Sequence, residues 1–271
     1  HGDVGHAQAS QWPARQRAAA ARLGRSAHSG ARGEGAARPA AAVPEVHREE
    51  EQRSAVNHVF AVAVYFGTFD PIHENHIAVA RFAVGCGHAG RVYFVVNGDN
   101  PLKPGATDWA VRQRLVEERL RAEKDGRLSC WDLSPAERER MSWAGREKIC
   151  GRLAADVGRE LGLPARHVRV VQIMGQDAFE HAVERGAAQG ARRAGGIFAS
   201  RRPLLVFPRL GSGSAVEVPS ALSGAVTVVA DYRDPAPLSS TAVRAAAAGG
   251  GALEGTVHPE LQDQVCGLYR R

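Results

Sequence analysis

A parallel β-sheet with helices on both faces is the fold this 271-residue sequence predicts. Three observations predict it. From Val56 onward, apolar runs of strand length alternate with helical stretches, a pattern that requires right-handed crossovers between parallel strands. The run Val62-Ala63-Val64-Tyr65-Phe66 reads as a strand buried on both faces and ends in Gly67. Directly after it, His73 and His76, spaced i and i+3, open a helix.

The remaining elements follow in order. Strands are expected near 60–66, 91–97, 127–131, 167–174, 203–208 and 225–230, and helices near 76–85, 108–124, 135–161, 177–189, 240–248 and 258–269. The arginine- and glycine-rich stretch 186–202 reads as a loop, and 209–224 as another connection. No Gly-x-Gly-x-x-Gly follows a strand to open a helix, and no Gly-Lys-Ser/Thr element occurs. The class is therefore α/β: a Rossmann-like parallel sheet without the dinucleotide or P-loop fingerprint.

A strand that ends in glycine and leads into a helix builds an anion site, because free backbone N–H groups and the positive helix end converge there. Imidazoles aimed at that point add donors for phosphate oxygens. A metal pair is the other chemistry open to His73 and His76, although two histidines are incomplete for zinc. Downstream, Leu238-Ser239-Ser240-Thr241-Ala242-Val243-Arg244 follows Pro235 and Pro237. It is either a second phosphate-facing helix start or an ordinary helix cap. Trp131, at the carboxyl end of a short strand, stands where an indole stacks on a ligand ring or packs helix on sheet.

Gly67-Thr68-Phe69-Asp70-Pro71 with His73 and His76 resembles the phosphate-binding signature of the nucleotidylyltransferase superfamily. The Ser239-Ser240-Thr241…Arg244 string is similar to the element that holds the triphosphate tail of ATP there. Asn75 stands where the bacterial branch usually has glycine. The chain is most like the nicotinamide or nicotinate mononucleotide adenylyltransferases. The resemblance implies transfer of the adenylyl group of ATP to the 5′-phosphate of a pyridine mononucleotide, with Mg²⁺ arriving with ATP. It implies that His76 stabilises the α-phosphoryl transition state and His73 holds ATP phosphates. Thr68 and Lys103 would hold acceptor phosphate, and Ser240, Thr241 and Arg244 the pyrophosphate end.

It also places Arg112 in the register of a family arginine, Trp131-Asp132 where relatives stack the pyridine ring, and Gly175 and Asp177 beside the nucleotides. Arg209 matches an arginine that ends a family strand. One departure is the lack of a second tryptophan between Asp177 and Arg209, where only Phe179 and Phe198 are aromatic. Another adenylyl- or cytidylyltransferase, such as a pantetheine-phosphate adenylyltransferase, is the alternative within the superfamily. A non-catalytic nucleotide-binding module is the alternative outside enzymes.

Composition fits a small-molecule enzyme. The chain is 44% hydrophobic, and no apolar run in it is long enough to span a membrane. Four cysteines without paired spacing read as reduced thiols, as expected inside a cell. The formal charge of +6 includes +2 in residues 1–55; it suits phosphorylated substrates and is too dilute for nucleic acid. Expected partners are ATP and a small phosphorylated acceptor, with no nucleic acid and no membrane; further copies of the chain are left open. Residues 1–55 are rich in Ala, Arg and Gly and read as a disordered extension before a catalytic domain over 56–271. The first 42 residues are arginine-rich and acid-poor, as organelle transit peptides are.

Overall fold

The computed structural model describes residues 59–98, 105–139, 141–188, 196–210 and 215–270. The expected N-terminal extension and Lys103 lie outside them. Six parallel strands form one sheet in the order β3-β2-β1-β4-β5-β6. They are β1 (Phe60–Gly67), β2 (Arg91–Val96), β3 (Leu128–Cys130), β4 (Val168–Gly175), β5 (Leu204–Phe207) and β6 (Val226–Val228). Strand β1 is buried almost throughout, as a central strand covered on both faces must be. Register aligns the strand ends: Gly67 pairs with Val96, and Gly175 pairs with Phe207.

The helices are α1 (Glu74–Gly85), α2 (Trp109–Glu123), α3 (Pro135–Glu139), α4 (Trp143–Leu161), α5 (Gln176–Ala188), α6 (Ser240–Ala248) and α7 (Pro259–Tyr269). One layer of core joins α1, α2, α6 and α7 to the sheet through Ile77, Phe94, Leu115, Val243 and Val265. On the other side, Phe179, Ile197, Leu204 and Val206 pack α5 and a short 3₁₀ turn against β4 and β5.

One expectation needs correction. The stretch 135–161 is two helices rather than one, because Ser142 adopts extended backbone and its Oγ accepts from the Gly145 N–H at 3.1 Å. That bond caps a fresh helix and redirects the chain just before Trp143. The expected loop 186–202 also differs, since α5 runs to Ala188 and a 3₁₀ turn spans Gly196–Ala199.

An ion cluster fixes the start of α1. Buried Arg119 on α2 donates to both carboxylate oxygens of Glu74 at 3.0 and 2.9 Å and to Glu123 at 2.9 Å. Glu74 lies in the first turn of α1, where a negative charge also suits the helix dipole.

Candidate active site

Connections from β1 run to β2 and β3 on one side, while β4 leads to β5 and β6 on the other. The chain thus diverges between β1 and β4, which is where open parallel sheets bind ligands, beyond the strand carboxyl ends. A cleft of about 530 Å³ opens there, bordered by Gly67, Gly175 and Phe207 at three strand ends.

The loop after β1 is shaped by its own side chains. A Cβ on Gly67 would come within 2.5 Å of the Phe69 ring, so the ring lies where only glycine leaves room. Phe69 itself has φ +49, left-handed backbone that a large side chain holds only under surrounding constraint. Thr68 is buried and borders the cleft. Asp70 does not border it; its carboxylate accepts from the Tyr269 hydroxyl at 2.5 Å and the Thr107 N–H at 3.3 Å.

His73 caps α1 and His76 follows one turn later, and both border the cleft. Their rings stack with centroids 3.7 Å apart. The His73 backbone N–H donates to His76 Nδ1 at 3.2 Å. An Nδ1 that accepts carries no proton, so a neutral His76 carries its proton on Nε2. The Phe69 ring meets His76 edge-on at 5.0 Å and fixes the ring plane.

A second helix start faces the same space. Ser239 caps α6 by accepting from the Ala242 N–H at 3.1 Å, so the ordinary capping role is met by one hydroxyl of the three. Ser239, Ser240 and Thr241 all border the cleft. Ser240 Oγ donates to the Pro71 carbonyl at 3.0 Å, and Arg244 donates to the Asp70 carbonyl and to Thr241 Oγ1. Asn75 Nδ2 adds a bond to the Ala236 carbonyl at 2.7 Å. These bonds tie the loop after β1 to the start of α6, although more than 160 residues separate them in sequence.

At the β4 and β5 ends, Arg209 pairs with Asp177 and donates to the Leu238 carbonyl at 2.7 Å. Gly175, Asp177 and Arg209 all border the cleft. The buried Gln176 side chain accepts from the Arg209 N–H at 3.1 Å and holds that turn.

Residues 64–246 match the family described as cytidylyltransferase-like. The chain belongs to the cytidylyltransferase-like family. It is a nucleotidyltransferase. A protein of Chlorobium luteolum named probable nicotinate-nucleotide adenylyltransferase is 32% identical over 219 residues, covering 77% of this chain and 98% of that protein. One of the same name from Solibacter usitatus is 28% identical, covering 72% of this chain and 90% of that protein. The fold is shared with Plasmodium falciparum nicotinic acid mononucleotide adenylyltransferase complexed with NaAD, at 12% identity and TM-score 0.54, covering 77% of this chain and 96% of that chain.

In this nucleotidyltransferase four residues expected at the site, Asp70, Arg112, Trp131 and Arg244, are not among those that line the described cleft. Arg112 is fully buried and donates to the carbonyls of Thr107, Thr68 and Asn97 at 2.7, 2.7 and 2.9 Å. It holds the loop after β1 from behind and is not among the cleft residues. Trp131 packs edge-on against Tyr93 with the Arg152 guanidinium over its ring, and it too is absent from the described cleft lining.

The cleft also holds residues that the sequence reading did not single out. Trp143 and Arg146, in the first turn of α4, project into it. Burial pulls the Arg146 pKa down to about 10; the Cys150 thiol offsets this in part, and the nearby Arg185 charge adds to it. Tyr65 lines the floor, where burial pushes its phenol well above the ordinary range.

Proposed function

We propose that this nucleotidyltransferase joins the adenylyl group of ATP to the 5′-phosphate of a pyridine mononucleotide, nicotinate or nicotinamide, releasing pyrophosphate. The observation that carries the proposal is the meeting of two helix N-termini, α1 with His73 and His76 and α6 with Ser239 to Thr241, in one cleft. Holding the α-phosphate of ATP at one helix start and its pyrophosphate end at the other needs two anion sites side by side. The relatives' names support the choice of acceptor.

The chemistry needs no covalent intermediate. An oxygen of the acceptor's 5′-phosphate attacks the α-phosphorus of ATP in line, the bond to the β-phosphate oxygen breaks, and pyrophosphate leaves with that electron pair. Catalysis is positioning and charge stabilisation. His76 Nε2–H donates to the α-phosphoryl oxygens as charge builds, and His73 holds neighbouring phosphate oxygens. Ser240, Thr241 and the α6 amide groups hold the pyrophosphate end, with Arg244 orienting Thr241. Thr68 and Lys103 hold the acceptor phosphate. Trp143 offers the ring face that Trp131 does not.

Mg²⁺ enters as part of the substrate, MgATP. Among the described residues no three His, Cys, Asp or Glu side chains cluster to hold a metal ion. The cation of MgATP brings most of its ligands with it, as phosphate oxygens and water.

The test is pyrophosphate release by the full chain with MgATP and nicotinate mononucleotide, nicotinamide mononucleotide or phosphopantetheine. Turnover with a pyridine mononucleotide, reduced ~10²–10³-fold in His76→Ala, is expected. Turnover with phosphopantetheine alone would overturn the acceptor, and full activity in His76→Ala would overturn the site.

A further inference from the structure

Among the described residues Arg146 is a cation without an anion. It borders the cleft, lies 4.8 Å over the Phe66 ring and 5.1 Å from the Trp143 ring, and forms no ion pair among the described residues. Acidic groups on α4 and α5 have other partners: Glu147 holds Arg202 at 2.9 Å, Asp177 pairs with Arg209, and Glu184 faces His181 at 3.4 Å. A second cation, Arg185, stands close enough to repel it, and Arg185 also borders the cleft.

Desolvating a guanidinium between two aromatic rings, beside another positive charge and with no carboxylate, raises the free energy of the unliganded protein. A ligand anion relieves that cost. On that reading the ATP phosphates are accounted for at the α1 and α6 starts and the acceptor phosphate at Thr68 and Lys103, so the anion at Arg146 belongs to another part of the substrate. Planar surroundings suit a flat ring that carries its charge in its own plane. A guanidinium fork pairs with a carboxylate through two parallel hydrogen bonds, whereas an uncharged amide presents one acceptor oxygen and two donors that the fork repels.

We propose that Arg146 selects the acceptor: it receives the ring carboxylate of nicotinate mononucleotide, between Trp143 and Phe66, and discriminates against the nicotinamide form. The assignment rests on the adenylyl-transfer reading above. It makes the break between α3 and α4 a specificity device, because the Ser142 cap is what turns the first residues of α4 into the cleft.

The test is steady-state pyrophosphate release by the full chain with MgATP and each of the two pyridine mononucleotides, for wild type, Arg146→Lys, Arg146→Gln and Arg146→Met. Wild type is expected to prefer the nicotinate form. In Arg146→Gln and Arg146→Met the KM for nicotinate mononucleotide rises about 10- to 100-fold. The KM values for ATP and for nicotinamide mononucleotide stay within about twofold, so the preference collapses. Arg146→Lys, with the charge but not the fork, falls between. Equal losses on both mononucleotides, a rise confined to ATP, or a wild type that prefers the amide would each overturn the role given to Arg146. A wild type that turns over neither mononucleotide would remove the adenylyl-transfer reading itself, and this assignment with it.

Discussion

The Tyr269 hydroxyl donates to Oδ1 of Asp70 at 2.5 Å and itself accepts from Thr107 Oγ1 at 3.0 Å. The last helix thus holds the carboxylate of the loop after β1 from outside the cleft. Tyr269→Phe leaves a buried carboxylate oxygen short of a donor, which costs about 1–3 kcal/mol. A urea titration should report that loss, and the KM for ATP should rise because Asp70 also faces Arg244 at 3.6 Å. Unchanged stability and KM would mean that the loop keeps its shape without α7.

Gly67→Ala sets a methyl against the Phe69 ring at 2.5 Å. The ring must move, and with it the edge-on contact that orients His76. Overpacking of this kind costs about 1–3 kcal/mol. Both Tm and kcat are expected to fall. Pairing the change with Phe69→Leu, which vacates space, should recover Tm more than it recovers kcat.

Arg112→Met tests a residue that holds the loop after β1 and does not line the described cleft. Three carbonyls, on Thr68, Asn97 and Thr107, lose their donor, so a loss on the order of 3 kcal/mol is expected. Guanidinium denaturation is the measurement. A variant as stable as wild type but unable to bind ATP would place Arg112 in the cleft after all.

Alkaline pH should unfold the protein in two stages. Burial pushes the Cys150 thiol from an ordinary value near 9 up to about 12, and raises the Tyr65 phenol above its ordinary value. Both hold their protons more tightly folded than unfolded. Their stabilisation is therefore complete below the unfolded pKa and is lost as pH climbs toward the folded one. Stability should be level through neutrality and fall above about pH 9, with a slope of about 1.4 kcal/mol per pH unit for each such group. Cys150→Ala should flatten the first part of that fall in a pH series of denaturant melts; an unaltered curve would place the thiol outside the linkage.

The fold was legible because period and burial agreed: β1 is apolar on both faces, and glycine marks its end. The helix from Ser240 was legible too, since prolines before it and glycines after it bound the alanine run. What was not legible depends on contacts distant in sequence. Nothing local says whether Arg112 faces solvent, ligand or three carbonyls, since an arginine on an amphipathic helix can do any of these. Nothing local separates Trp131 from Trp143 as a cleft residue either, because their directions depend on strand length and on a cap. One cue was available. Met141-Ser142-Trp143 interrupts the helical stretch with a serine three residues before Gly145, a spacing that fits an N-cap.

The β1–β4 junction carries a consequence for the chain as two pieces. The α1 start comes from the stretch before the turn at Gly162 and the α6 start from the stretch after it. Neither segment carries both helix starts, and the seam between them is a row of backbone bonds down the middle of the sheet. A chain cut at that turn, with its segments supplied separately, becomes a reporter of its own reassembly: catalysis returns only as fast as β1 finds β4.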